Sequence, residues 1–186
     1  VSACRTAVGA FGGSLKNVNG AKLGSVALRG AIDRAGIDPA IIDDVRMGCC
    51  LEHPDALNTA RVAALMAGVP ETVTAMTINR ACISGMEAVV SGMAMIQSGM
   101  ADVILAGGAE HMSGVPYAID SARWGCRIQD SVLMDTMIHG LYGGSMLLPG
   151  TAGGPAATGS PGELFKDKPY IMGHTAEFVA QLHNIS

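Results

Sequence analysis

The sequence predicts an α/β layered fold with a mostly parallel sheet, and three observations carry that prediction. Segments of strand and helix character alternate along residues 45–106, the order expected of strands joined by helical crossovers. The strand segments are short continuous apolar runs, the pattern of strands covered on both faces. One helical segment, residues 83–100, is apolar almost all round, interrupted only by Glu87 and Gln97, which predicts a buried central helix. Composition agrees: 49% of the 186 residues are hydrophobic and only 15% charged, against about 25% charged in ordinary soluble domains. That balance excludes a disordered chain. It also leaves too few polar residues to cover a single small domain, so an oligomer or a part of something larger is expected.

Residues 1–4 are expected to be the remnant of a first strand. Residues 22–35 place Leu23, Val26, Ala27, Gly30 and Ala31 on one face, an amphipathic helix stopped by Gly36. Asp38-Pro39 supplies an N-cap and first position for a short helical turn through Asp43. Residues 45–51 read as a strand and 52–58 as a loop. Asn58 caps a helix over 59–67, closed by Gly68 and Pro70, and residues 72–78 form the next strand. After the apolar helix, residues 103–106 form a short strand ended by Gly107-Gly108. Beyond Met112 the pattern changes: 113–129 follow neither period, 130–139 suggest a helix, 142–162 are Gly-, Ala-, Pro- and Ser-rich loop, and helical spacing returns at 177–183. Two regions are therefore expected, 1–112 and 113–186.

Several function classes drop out. A net charge of -4 gives no basic footprint for nucleic acid. The longest uncharged apolar stretch, between Glu87 and Asp102, falls short of the roughly 20 residues of a membrane span. The five cysteines include a vicinal pair, Cys49-Cys50, but no C-x-x-C, and the five histidines are scattered, so neither a disulfide framework nor a metal site is expected. No G-x-G and no Gly-Lys pair occurs, which removes the dinucleotide fingerprint and the P-loop. Cys82 is the residue placed for chemistry. It lies between a strand and the apolar helix, where free N–H groups and the positive end of the helix dipole favour an anion and can receive an oxyanion. The competing reading of a free cysteine is buried packing. Cys49, Cys50 and Cys126 are assigned to structure.

The motifs around Cys82 decide between these readings. Arg5-Thr6-Ala7-Val8-Gly9 and Phe11-Gly12-Gly13-Ser14-Leu15 open the chain, followed by Asn58-Thr59-Ala60-Arg61. Next comes Asn79-x-x-Cys82-x-Ser84-Gly85, then Ala106-Gly107-Gly108-Ala109-Glu110-His111-Met112-Ser113, and finally Met172-Gly173-His174-Thr175-Ala176-Glu177. In this order, over nearly the whole chain, they resemble the thiolases, the family of acetyl-CoA acetyltransferases and 3-ketoacyl-CoA thiolases.

That resemblance implies a thiolase-like layered fold: an N-terminal core over 1–112 with a truncated first strand, then the start of an inserted loop domain over 113–186. It implies that Cys82 is the acyl-accepting nucleophile, its backbone N–H part of an oxyanion hole, and that Met172 borders the substrate. The implied chemistry is thiolysis of 3-ketoacyl-CoA or the reverse Claisen condensation, with acyl-CoA and CoA as substrates and no permanently bound cofactor. A homodimer or homotetramer and a cytoplasmic location are implied, with organellar targeting open because the chain lacks an initiator Met. Thiolases carry a second cysteine and an activating histidine in a C-terminal half that is expected to be absent here, so the chain alone is expected to be inactive. Where many members have His before M-G-x-T-A-E this chain has Ile171, and residues 142–167 look longer than usual, which leaves acyl-chain preference open. The related ketoacyl synthase and HMG-CoA synthase chemistries, and a non-catalytic carrier or scaffold, are the alternatives.

Overall fold

The computed structural model describes residues 1–147 and 171–185. They fall into two compact units, Val1–Val115 and Pro116–Ser186. The first unit is built on a three-stranded, wholly parallel sheet in the order β2-β1-β3, with β1 at Asp44–Gly48, β2 at Thr74–Ile78 and β3 at Ile104–Gly108. Central β1 pairs both neighbours in matching register, so that Gly48 lies between Ile78 and Gly108. The three strands therefore end side by side.

Alternation along β1 separates the layers. A Cβ on Gly24 of α1 (Gly20–Ala35) would stand 2.7 Å from the Met47 side chain, whereas one on Gly48 would meet the backbone of Ser84 at the start of α3 (Ser84–Gln97). Helices α1 and α2 (Thr59–Met66) thus cover one face and α3 the other. Leu28, Ile32, Val45, Met47, Ala60, Ala63, Ala64 and Val69 form the core between α1, α2 and the sheet. The alanines of α2 admit α1 closely, and this is why the buried face of α1 is Ala21, Gly24, Ser25, Leu28 and Ile32. The expected face is half-buried instead, with Val26 exposed.

Several other expectations are corrected by identifiable contacts. Residues 1–4 form no strand: the Ser2 hydroxyl donates to the Ala31 carbonyl at 2.5 Å and the Arg34 guanidinium to Ala3 O at 2.7 Å, which ties the segment to α1 and not to the sheet. Strand β1 stops at Gly48, before the expected Leu51, because the Glu110 carboxylate takes the N–H groups of Cys50 and Leu51. Strand β2 begins at Thr74, because Arg61 takes the carbonyls of Glu71 and Val73. Strand β3 runs Ile104–Gly108, so it takes in the Gly107-Gly108 pair and ends at Gly108, two residues beyond the expected Ala106.

The apolar helix is buried only along Ser84, Ala88 and Gly92, a stripe at four-residue spacing that rests on the sheet. Met86, Val89, Val90, Met93 and Ile96 are 44–66% exposed, so the expectation of a helix buried all round is not met by the described residues. A helix presents one stripe to a sheet, and the packing partners of α3 are β1, β2 and β3.

In the second unit, β4 (Tyr117–Ala118) and β5 (Met134–Asp135) pair antiparallel, and α4 runs over Thr136–Leu147. The expected helix at 130–139 is displaced toward the C-terminus, because the Asp135 carboxylate accepts from the N–H groups of Met137 and Ile138 and sets the helix start at Thr136. The expected loop at 142–162 is helical up to Leu147, and its remainder lies outside the described residues. Helix α5 occupies Met172–His183, beginning before the expected residue 177.

Candidate active site

Cys82 sits in the turn that joins the C-terminal end of β2 to α3 and is exposed. The geometry of that turn follows from glycines in the neighbouring strands. A Cβ on Gly48 would stand 2.2 Å from the Ser84 carbonyl carbon and 2.3 Å from the Gly85 nitrogen, closer than side-chain atoms approach backbone. A Cβ on Gly108 would stand 3.0 Å from the Gly48 carbonyl oxygen and 3.4 Å from the Gly85 Cα. The first turn of α3 therefore rests backbone to backbone on the ends of β1 and β3, which sets Cys82 above the strand termini, the usual ligand edge of parallel α/β sheets.

The turn itself is held by two side chains. Asn79 accepts the Ala81 N–H at 3.1 Å and donates to the Cys50 carbonyl at 3.0 Å, tying the turn to the chain leaving β1. The Ser84 hydroxyl accepts the Arg80 N–H at 2.9 Å and donates to Ala81 O at 2.5 Å. Between them Ala81 adopts φ +48, a left-handed conformation that is rare for a residue with a Cβ. Arg80 pairs with Glu87 one turn into α3. Cys82 directly precedes Ile83, the N-cap of α3.

Glu110, just past β3, completes the surroundings. Its carboxylate accepts from Cys50 N and Leu51 N, each at 2.9 Å, and lies 3.6 Å from the Cys49 Sγ. Burial, reinforced by this negative charge, pushes the Cys49 thiol up to about 12. Cys50 is also raised, first by burial, then by Glu110 and by its proximity to Cys82. Both vicinal cysteines are thus held as thiols by their surroundings. Asn58 and Arg61 are structural: the Asn58 carbonyl oxygen accepts Arg61 N at 3.0 Å and Thr77 Oγ1 at 2.8 Å, capping α2 and fastening it to β2.

Met172 opens α5 in the second unit and is 62% exposed. Cys126 is exposed and Cys4 half-buried. No group of three His, Cys, Asp or Glu suited to a metal ion occurs among the described residues, and no described helix is long and apolar enough to cross a membrane. Sequence reasoning quoted Asn79, Ser84 and Glu110 within motifs, with Ser84 as a small residue permitting the turn, but foresaw none of these hydrogen bonds and did not single out Gly48. The available signal was positional, since all four fall where a strand of the sheet ends or the following helix begins.

Fold and site together define a parallel α/β protein that carries an exposed cysteine at a strand-to-helix turn. Comparison with known proteins makes this specific. The family model of the thiolase N-terminal domain matches residues 1–146. The acetyl-CoA acetyltransferase of Syntrophomonas wolfei is 46% identical over 142 residues, 75% of this chain and 36% of that protein. The acetyl-CoA acetyltransferase of Pseudomonas aeruginosa is 37% identical over 187 aligned residues, 100% of this chain and 42% of that protein. The crystal structure of the Bacillus anthracis acetyl-CoA acetyltransferase superposes with a TM-score of 0.81 at 38% identity, covering 100% of this chain and 41% of that one. The chain belongs to the thiolase family. It spans about two fifths of the length of the relatives it matches.

Proposed function

We propose that the protein carrying this chain transfers acyl groups between coenzyme A thioesters through a covalent acyl-Cys82. The observation that supports this most directly is an exposed cysteine on a turn that rests on glycine backbone at the strand ends, just before the N-cap of α3. In thiolysis the Cys82 thiolate adds to the 3-keto carbon of a 3-ketoacyl-CoA, placing negative charge on the carbonyl oxygen, which the Cys82 N–H is proposed to receive as part of an oxyanion hole. Collapse breaks the C2–C3 bond, acetyl-CoA leaves after its carbanion is protonated, and the acyl group stays on sulfur. A second CoA thiol then attacks the thioester and frees Cys82. Condensation is the reverse. The names of the relatives support coenzyme A thioesters as substrates.

The acyl chain is proposed to pass Met172, on the strength of its motif, and the assembly is proposed to be a cytoplasmic homodimer or homotetramer with no resident cofactor. The test uses the complete protein. Incubation with acetyl-CoA should leave an acetyl group on the Cys82 peptide by mass spectrometry, and Cys82→Ser should lose both the adduct and thiolysis of acetoacetyl-CoA. An adduct on another cysteine, or full turnover by Cys82→Ser, would overturn the proposal. Met172→Ala should alter relative kcat/KM across acyl-chain lengths, and an unchanged profile removes Met172 from the pocket.

A further inference from the structure

The turn before Cys82 contains the only non-glycine residue of the described part of the first unit with positive φ, Ala81. A left-handed Ala costs about 1–2 kcal/mol relative to its ordinary conformations, so it persists only where its surroundings hold it. Both polar groups of Ala81 are held by side chains from outside the residue. Its N–H is taken by the Asn79 carbonyl oxygen and its C=O by the Ser84 hydroxyl and by Ser84 N at 3.1 Å. Each of these side chains has a second bond that anchors it. Asn79 donates to Cys50 O, on the chain leaving the central strand, and Ser84 accepts Arg80 N from its buried place on the sheet.

We infer that Asn79 and Ser84 are positioning residues for the Cys82 nucleophile: together they clamp Ala81 in its left-handed conformation and thereby fix the direction of the following Cys82 thiol and N–H. This rests on the proposed acyl-cysteine chemistry. Ala81 immediately precedes Cys82, so rotation about its φ and ψ swings both groups that the chemistry needs. Loss of either clamp lets Ala81 relax to negative φ. The thiol and the oxyanion donor then leave the alignment required at the same carbonyl, while the substrate-binding surfaces elsewhere are untouched. The effect therefore belongs in kcat and not in KM.

Asn79 is exposed, so Asn79→Ala is expected to fold, whereas Ser84 is buried and Ser84→Thr retains its hydroxyl. In the complete protein, Asn79→Ala and Ser84→Ala should each lower kcat for thiolysis by about tenfold to a hundredfold with KM within about twofold, because small misplacements of reacting groups have effects of that size. Ser84→Thr should recover most of the kcat lost in Ser84→Ala. Acylation of Cys82 by acetyl-CoA in a single turnover should slow in parallel. If Asn79→Ala and Ser84→Ala shift only the thermal midpoint and keep kcat, the two residues are merely structural and the inference falls, while an inactive Cys82→Ser leaves the acyl-cysteine reading standing. Full turnover by Cys82→Ser overturns both.

Discussion

Among the five cysteines, burial and the Glu110 charge set Cys49 and Cys50 apart from Cys82. Cys82 is exposed on its turn, whereas Cys49 is 5% exposed with its thiol pushed up to about 12 by burial and by Glu110. As the proposed nucleophile, Cys82 should be labelled by substoichiometric iodoacetamide at near-neutral pH ahead of the buried thiols and of the also exposed Cys126, read by peptide mapping. Preferential labelling of Cys49, Cys50 or Cys126 would contradict the site. The raised Cys49 value also has a sign: the folded state binds this proton more tightly than the unfolded state, so the stabilisation is complete below the ordinary thiol range and is lost as pH climbs from about 9 toward about 12. Denaturant titrations at rising pH should show an alkaline loss of stability that Cys49→Ala flattens, and an unchanged alkaline slope in that variant would exclude Cys49 as its source. At this scale the position of Cys82 was legible because a cysteine between a strand and a helix is a local pattern. The role of Glu110 was not legible, since its partners at Cys49, Cys50 and Leu51 lie about sixty positions away in the chain and meet it only through the β1–β3 pairing.

Helix and strand types were readable wherever periodicity or a cap marked them, as with Asn58 before α2 and Asp38-Pro39 before the 3-10 turn Pro39–Ile41. Element ends were misread where a distant side chain, Glu110 or Arg61, takes over the backbone bonds of a strand. The glycines show the same limit. Gly107-Gly108 reads locally as a strand stop and β3 does end at Gly108, but no local pattern announces that Gly108 also admits close approach of Gly48 and Gly85. The contact between β1 and α3 gives the sharpest test. Gly48→Ala would place a methyl 2.2 Å from the Ser84 carbonyl carbon, and backbone at that position cannot swing aside as a flexible side chain does. Overpacking of well-packed sites costs about 1–3 kcal/mol, and this substitution should fall at or above the top of that range. It should also slow Cys82 alkylation by lifting the first turn of α3. Chemical denaturation checks the first effect and alkylation kinetics the second; a variant with parental stability and labelling would mean that α3 does not rest on β1 as described.

The apolar side of α3 dominates the behaviour of the whole chain. Met86, Val89, Val90, Met93 and Ile96 are exposed along one helix, a contiguous surface of the kind that soluble monomers seldom present. Residues 1–186 expressed alone should bind the dye ANS, migrate as associated species in size exclusion and show no thiolysis of acetoacetyl-CoA. A cooperatively unfolding monomer with turnover would refute the proposal that the chemistry needs more than this chain. The sequence disclosed the helix's lack of polar residues but not which side of it the sheet leaves uncovered, because that depends on how Ala88 and Gly92 nest over β3. The strand order also sets a schedule. The middle strand, β1, is the first of the three to be synthesised, and its second neighbour, β3, follows the cysteine turn in the chain. A nascent polypeptide thus contains its thiol-bearing turn before Gly108, one of the glycines beneath that turn, has been made. Seating of the turn that carries Cys82 consequently waits for the strand that brings Gly108 beneath it.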